Sequence, residues 1–274
     1  MRLKQASALA GWGWTREGLL LVKQQPLTLS GLMGFMFFGL GLLLSLPWVG
    51  PVLVALLLPA LSAGWVEAVQ QVRKGQRPPP WTLGVALSPA RRMPMLWLGA
   101  LHAVAGAAVL GLAELLDPGL IEAWQLVVTD GAADDASRLA AFEALQYGML
   151  LRLALLTPVM LLFWHAPVIL LREGGSVAKA LFGSALASFR NLGAFTVYGL
   201  AWVGVDLALS AVLGTVLALL GLAQFAFFFA MPAALLFSAA FYASLHASVH
   251  GCLDFTDAAV GGREAAPPAD SGAA

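Results

Sequence analysis

Charge is what this chain has least of. Asp, Glu, Lys and Arg together make up 11% of its 274 residues, against 60% apolar residues. So few charges exclude an ordinary soluble domain, which would expose large apolar patches and aggregate. Cysteine is scarcer still. Cys252 stands alone, which excludes an internal disulfide and any cysteine-built metal site. Its place near the end of an apolar run suits a small apolar residue. Catalytic motifs are missing as well: there is no nucleophile elbow, H-E-x-x-H helix, phosphate loop, glycine-rich dinucleotide turn or paired intramembrane aspartate. The expectation is therefore a non-enzymatic protein, with no cofactor and no nucleic-acid partner. The N-terminus does not read as a cleavable signal peptide, because Arg16, Glu17 and Lys23 interrupt its apolar stretch.

What the chain does have is long apolar runs. Six of them, at about 27–46, 52–71, 95–116, 145–171, 193–220 and 225–250, are each long enough to cross a hydrocarbon core of about 30 Å at about 1.5 Å per residue. The fold class expected is all-α: a polytopic membrane bundle of six spans with interfacial amphipathic helices, in one domain over residues 1–257. Trp12 to Gln25, Trp81 to Ala90 and Ser176 to Phe189 read as the interfacial pieces, lying between lipid and water. In the first, Trp12, Trp14, Leu19, Leu20 and Val22 are available to lipid. In the third, Val177, Leu181, Phe182, Ala185 and Phe189 line one side, with Lys179, Ser184 and Ser188 on the other. Pro158 and Pro167 are kink sites in the fourth span. Gly99, Ala103, Ala107 and Gly111, four apart in the third span, form a face that lets a neighbouring helix come close. Residues 258–274 read as a disordered tail.

The charges that exist are sorted by side. From Glu114 to Glu143 there are seven acids and one base, Arg138. All other Lys and Arg residues except Arg152 lie at or near the loops and ends on the opposite, terminal side. The positive-inside rule then puts both termini and the tail in the cytoplasm of a bacterial inner membrane, with membrane lipids as the one expected partner.

A weaker pattern is a threefold repeat of interfacial segment, span and proline-bearing span: Trp12 to Gln71, Trp81 to Leu171, and Ser176 to about His250. Basic or amide clusters close the interfacial pieces (Lys23-Gln24-Gln25, Arg91-Arg92, Arg190-Asn191), and Pro59, Pro158 and Pro232 mark the second spans. Repeats of this kind often mark transporters. Common prolines and cytoplasmic basic residues give the same pattern without one.

Phe163-Trp164-His165-Ala166-Pro167, an amphipathic segment, and then F-R-N-x-x-A-F-x-V-Y-G from Phe189 to Gly199 resemble a group of uncharacterised proteobacterial inner-membrane proteins. Gly11, Trp12, Trp14, Glu17 and Gly18, and the turn from Pro47 to Pro51, fit the same group. The resemblance covers roughly residues 10–250 and implies a six-span fold and a location, without an activity. More loosely, the chain is similar to the membrane domains of some glycerophosphodiester phosphodiesterases. It lacks their soluble catalytic domain, so that activity does not carry over.

Two sets of polar residues stand out. Asp206 lies near the middle of its span, where an ionised carboxylate costs a few kcal/mol. Arg152, at a similar depth in the fourth span, is its expected partner. A register-fixing pair, a proton- or ion-coupling pair and an unpaired protonated Asp206 are the alternatives. Glu67, His102 and His165 each sit one to two turns inside the terminal boundary and form a possible polar cluster. Ordinary interfacial hydrogen bonding is the plainer reading of these histidines, and His246 and His250 lack a third metal ligand. Two functions compete: a scaffold, assembly partner or lipid-organising element, and a small-molecule or lipid transporter with a cavity near Asp206.

Overall fold

A computed structural model describes residues 1–128 and 134–255. The expected tail at 258–274 and part of the acidic loop lie outside the described residues. Six helices there are long and apolar enough to span a membrane. They are α2 (Pro26–Leu44), α3 (Val49–Arg73), α4 (Arg92–Leu116), α6 with α7 (Asp135–Phe163 and Ala166–Glu173), α9 (Leu192–Leu219) and α10 (Ala226–Cys252). Around them lie α1 (Ala10–Gln24), α5 (Leu120–Val128), α8 (Val177–Arg190) and a 3-10 segment, Pro80–Leu87. The two-residue strands β1 (Arg2–Leu3) and β2 (Leu253–Asp254) pair antiparallel and tie the start of the chain to the end of α10. Both therefore lie on one face, as an even number of spans requires.

The buried core sits in the half of the bundle nearest that face. Trp14, Trp65, Val69, Leu98, Leu170, Ala187, Tyr198 and Val249 all belong to it. Farther out the helices splay, and Leu42, Leu110, Leu150, Leu207, Leu219 and Phe228 are exposed. Each interfacial piece rests on a proline-bearing span: the 3-10 segment on α3, α8 on α6 and α7, and α1 on α10 and α9. The three units of the sequence pattern are thus joined in a closed ring. Glycines make these crossings tight. A Cβ on Gly11 would collide with the Ala194 carbonyl, one on Gly18 with Ala240, and one on Gly64 with Leu83.

Three local expectations need correction. The stretch expected as a helix from Trp81 to Ala90 is instead a 3-10 segment, Pro80–Leu87, entered through Pro78-Pro79 and running through Gly84. Two interfacial helices also bury residues read as facing lipid or water. α1 buries Trp14 and Val22 with Gly11, Thr15 and Gly18, leaving Trp12 and Leu20 exposed. α8 buries its small polar face (Ala180, Gly183, Ser184, Ala187, Ser188) and exposes Phe182, Leu186 and Phe189. Lipid is as good a solvent for phenylalanine as the protein interior, so small residues that allow close approach take the contact. In the third span only Gly99 is used that way, against the Leu56 carbonyl; a Cβ on Gly111 would meet open space.

The fourth span breaks at Trp164-His165. It runs unbroken through Pro158 and ends at Phe163, four residues before Pro167, whose ring clashes with that carbonyl and which has no N–H to give it. The opened ladder is repaired from α8. The His165 N–H donates to Ser184 Oγ at 2.9 Å, and Ser188 Oγ donates to the Leu161 carbonyl at 2.9 Å. Neither group could find water in the membrane interior. At the other end, Asp134 caps α6 by accepting from the Ser137 N–H at 2.7 Å, and its hydrogen bonds to Ser137 hold its carboxyl below the usual carboxylate range.

Gly18→Val should lower stability in detergent by about 1–3 kcal/mol or more by overpacking, read as a drop in thermal midpoint. Gly31→Val, where an added Cβ meets nothing within 4 Å, should be close to neutral. Ser188→Ala should cost about 1–3 kcal/mol through the stranded Leu161 carbonyl, while Ser188→Thr, which restores the hydroxyl, should recover most of it.

Candidate functional site

The polar residues singled out from the sequence have separate environments. Arg152 does not pair with Asp206. It is clamped on the outer side by the acidic loop instead, donating to Asp117 Oδ2 at 2.9 Å, Glu114 Oε2 at 2.8 Å, and the Asp117 and Gly148 carbonyls at 3.1 and 3.2 Å. Similar depth in two spans says nothing about which way the side chains face. Arg152 turns toward the end of α4, where two carboxylates converge.

Glu67, His102 and His165 do not form a cluster either. Glu67 binds Arg172 at 2.7 Å, and Arg172 also donates to Gln70. His102 Nδ1 donates to the Ala55 carbonyl at 2.8 Å, and its ring packs edge-on against Phe163. His165 is fully buried, with Nδ1 3.3 Å from Ser188 Oγ. Because the Ser188 hydroxyl hydrogen goes to Leu161, His165 Nδ1 must donate. Among the described residues, no group of three or more His, Cys, Asp or Glu side chains has the arrangement of a metal site.

The terminal half is held by further ties that sequence reasoning missed. Buried Asn191 accepts from the Ala6 N–H at 2.7 Å and donates to the Lys4 carbonyl at 3.0 Å, fastening the N-terminal stretch to the junction of α8 and α9. The N-terminal ammonium pairs with Glu173 at 3.1 Å, and Arg73 with Glu17. An aromatic cluster fills the centre. Trp164 meets Phe195, Tyr198 and Phe241, and its Nε1 donates to Ser248 Oγ at 3.0 Å. A cavity of about 170 Å³ lies beside it, lined by Pro59, Ser62, His102, Phe163 and Tyr242 among others. All three proline-bearing spans contribute to that wall.

Asp206 is different. It is exposed, and among the described residues no basic side chain pairs with it. It opens into a cleft of about 240 Å³ between the splayed outer halves of α9 and α10. Ser210 and Ser238 share the cleft, and Leu209, Leu213, Ala233 and Phe237 make the rest of its wall apolar. Helix α9 has 28 residues, and fourteen steps at about 1.5 Å put Asp206 roughly 21 Å from its start, near the middle of a membrane. One carboxylate and two hydroxyls in an apolar groove is a donor-seeking arrangement. The serines, at the spacing of one helical turn from Asp206 and on the facing helix, were the signal available in the sequence.

The chain is 32% identical to a probable inner membrane protein of Burkholderia thailandensis over 256 residues, which is 92% of this chain and 94% of that one. It belongs to that family of inner membrane proteins. No family model matches the sequence, and no solved structure does. The relative's name carries a location and no activity, so the chemistry of this inner membrane protein rests on its own side chains.

A double-mutant cycle separates the two pairings of Arg152. Arg152→Gln and Asp117→Asn should couple by about 0.5–1 kcal/mol in unfolding experiments, while Arg152→Gln and Asp206→Asn should add to within about 0.5 kcal/mol. Strong coupling of the second pair would restore the intramembrane ion pair.

Proposed function

We propose that this protein is a non-enzymatic, multi-pass inner membrane protein that holds a lipid or small amphiphile in the cleft beside Asp206. The observation that carries the reading is an exposed carboxylate at mid-membrane depth with no basic partner among the described residues. An ionised aspartate facing hydrocarbon costs a few kcal/mol even by lenient measures. A ligand that brings a hydrogen-bond donor or a cation to Asp206, Ser210 and Ser238, and lays its apolar part between α9 and α10, would remove that cost. Binding of this kind fits both a lipid-organising element and a transporter. The closed ring of interfacial pieces would serve as the fixed half, and the splayed outer half as the part that admits the ligand.

The positive-inside rule supports a cytoplasmic location for the face that carries both ends and most Lys and Arg residues. The likeness to glycerophosphodiester phosphodiesterase membrane domains would extend to this layout of paired spans and interfacial helices. Scaffolding is the second reading, supported by the broad exposed outer surfaces of α6, α9 and α10.

Native mass spectrometry on protein extracted gently from its own membrane tests the proposal. The expected result is a retained amphiphile on the wild type, with occupancy falling about tenfold, or ~1.4 kcal/mol, in Asp206→Asn. Equal occupancy in both, or a bare chain, would overturn it. A stoichiometric protein partner on a chain free of amphiphile would move the reading to a scaffold.

A further inference from the structure

Elsewhere in the bundle, α2, α3 and the 3-10 segment enclose an apolar groove of about 500 Å³. Phe35, Gly39 and Leu43 form one wall, Leu57 and Leu61 the other, and Trp81 the roof. At the terminal end of the same helix a second hollow, of about 340 Å³, is lined by Gln25, Thr28 and Arg77. The two are linked. At 100° per residue Thr28, Phe35 and Gly39 fall within roughly 40° of one another on α2, with Phe35 about 10 Å deeper than Thr28. Only Pro78 and Pro79 separate Arg77 from the segment that roofs the groove.

The charge at the upper hollow is uncompensated. Arg73 is neutralised by Glu17 and Arg172 by Glu67, but among the described residues no carboxylate pairs with Arg77. The first turn of α2 has no side-chain cap, which adds to the positive potential there. A bare guanidinium at the membrane surface above an apolar groove open to lipid has the chemistry of a phospholipid site. From this placement the geometry points to a binding site for an anionic phospholipid, its phosphate on Arg77, Thr28 and Gln25, and an acyl chain running down α2 beneath Trp81. The site is independent of the cleft at Asp206, from which it is separated by helix and by leaflet depth.

The test titrates delipidated, detergent-solubilised protein with phosphatidylglycerol or with zwitterionic phosphatidylcholine and counts bound lipid by native mass spectrometry. The wild type should bind one phosphatidylglycerol in preference to phosphatidylcholine. Arg77→Gln should cut that preference roughly five- to tenfold, as loss of one basic charge near an anionic headgroup implies. Gly39→Phe should weaken both lipids by filling the groove. An added Cβ at Gly39 meets nothing within 4 Å, so this variant should keep the wild-type thermal midpoint. Asp206→Asn should leave phosphatidylglycerol binding unchanged, which separates this site from the proposed function. An unaltered preference in Arg77→Gln, or unaltered binding in a folded Gly39→Phe, would overturn the proposal.

Discussion

The carbonyl of Leu161 has no water to turn to. A backbone group at that position in a membrane must be satisfied from inside the chain, and Pro167 removes the regularity that would otherwise keep the helix ladder closed there. Ser184 and Ser188 supply the missing partners from α8. That requirement draws the polar face of α8 inward, seats α8 on α6 and α7, and leaves Phe182 and Phe189 to the lipid. His165, held between the break and Ser188, and Trp164, reaching Ser248, then join the fourth span to α8 and α10. The aromatic centre is built on this joint.

The same logic accounts for the uneven packing. Near the face with the chain ends, backbone meets backbone through glycine, serines close hydrogen bonds, and ion pairs such as Glu67 with Arg172 link neighbouring helices. Toward the other face the helices are mostly apolar, apart from Asp206 and the clamp of Arg152 on Glu114 and Asp117. Lipid solvates such surfaces as well as a neighbouring helix does, so nothing forces them together. Clefts beside Asp206 and along α2 survive because closing them gains little.

Much of the architecture was legible in the sequence. The six apolar runs and the sorting of basic residues depend on one-dimensional quantities, length and order, and the long helices follow from them. Azimuth is another matter. Amphipathicity sets Ser184 and Ser188 with Lys179 opposite the apolar side of α8, yet both serines are buried, because in lipid the contact goes to small residues instead of large apolar ones. Depth alone pairs Arg152 with Asp206, yet the acids at 114 and 117 fold back over the end of α4 and take the guanidinium. The isolation of Asp206 was therefore out of reach, although its place in mid-span was not. Of the two kink sites read in the fourth span, Pro167 breaks the helix, which ends four residues earlier at Phe163, while Pro158 does not. The tie of Asn191 to Lys4 and Ala6 left no periodic trace.

Helix α1 rests on α9 and α10, and Arg2 pairs with Asp254. Helix α1 is thus completed by a helix that follows it by about two hundred residues in the chain. During synthesis α1 must wait at the membrane surface, its glycine face uncovered, until the hairpin of α9 and α10 has emerged and been inserted. Its exposed Trp12 and Leu20 give it a hold on the lipid meanwhile. Ring closure is then a late event: α9 offers α1 the Gly11 contact at Ala194, but the Gly18 contact at Ala240 waits for α10.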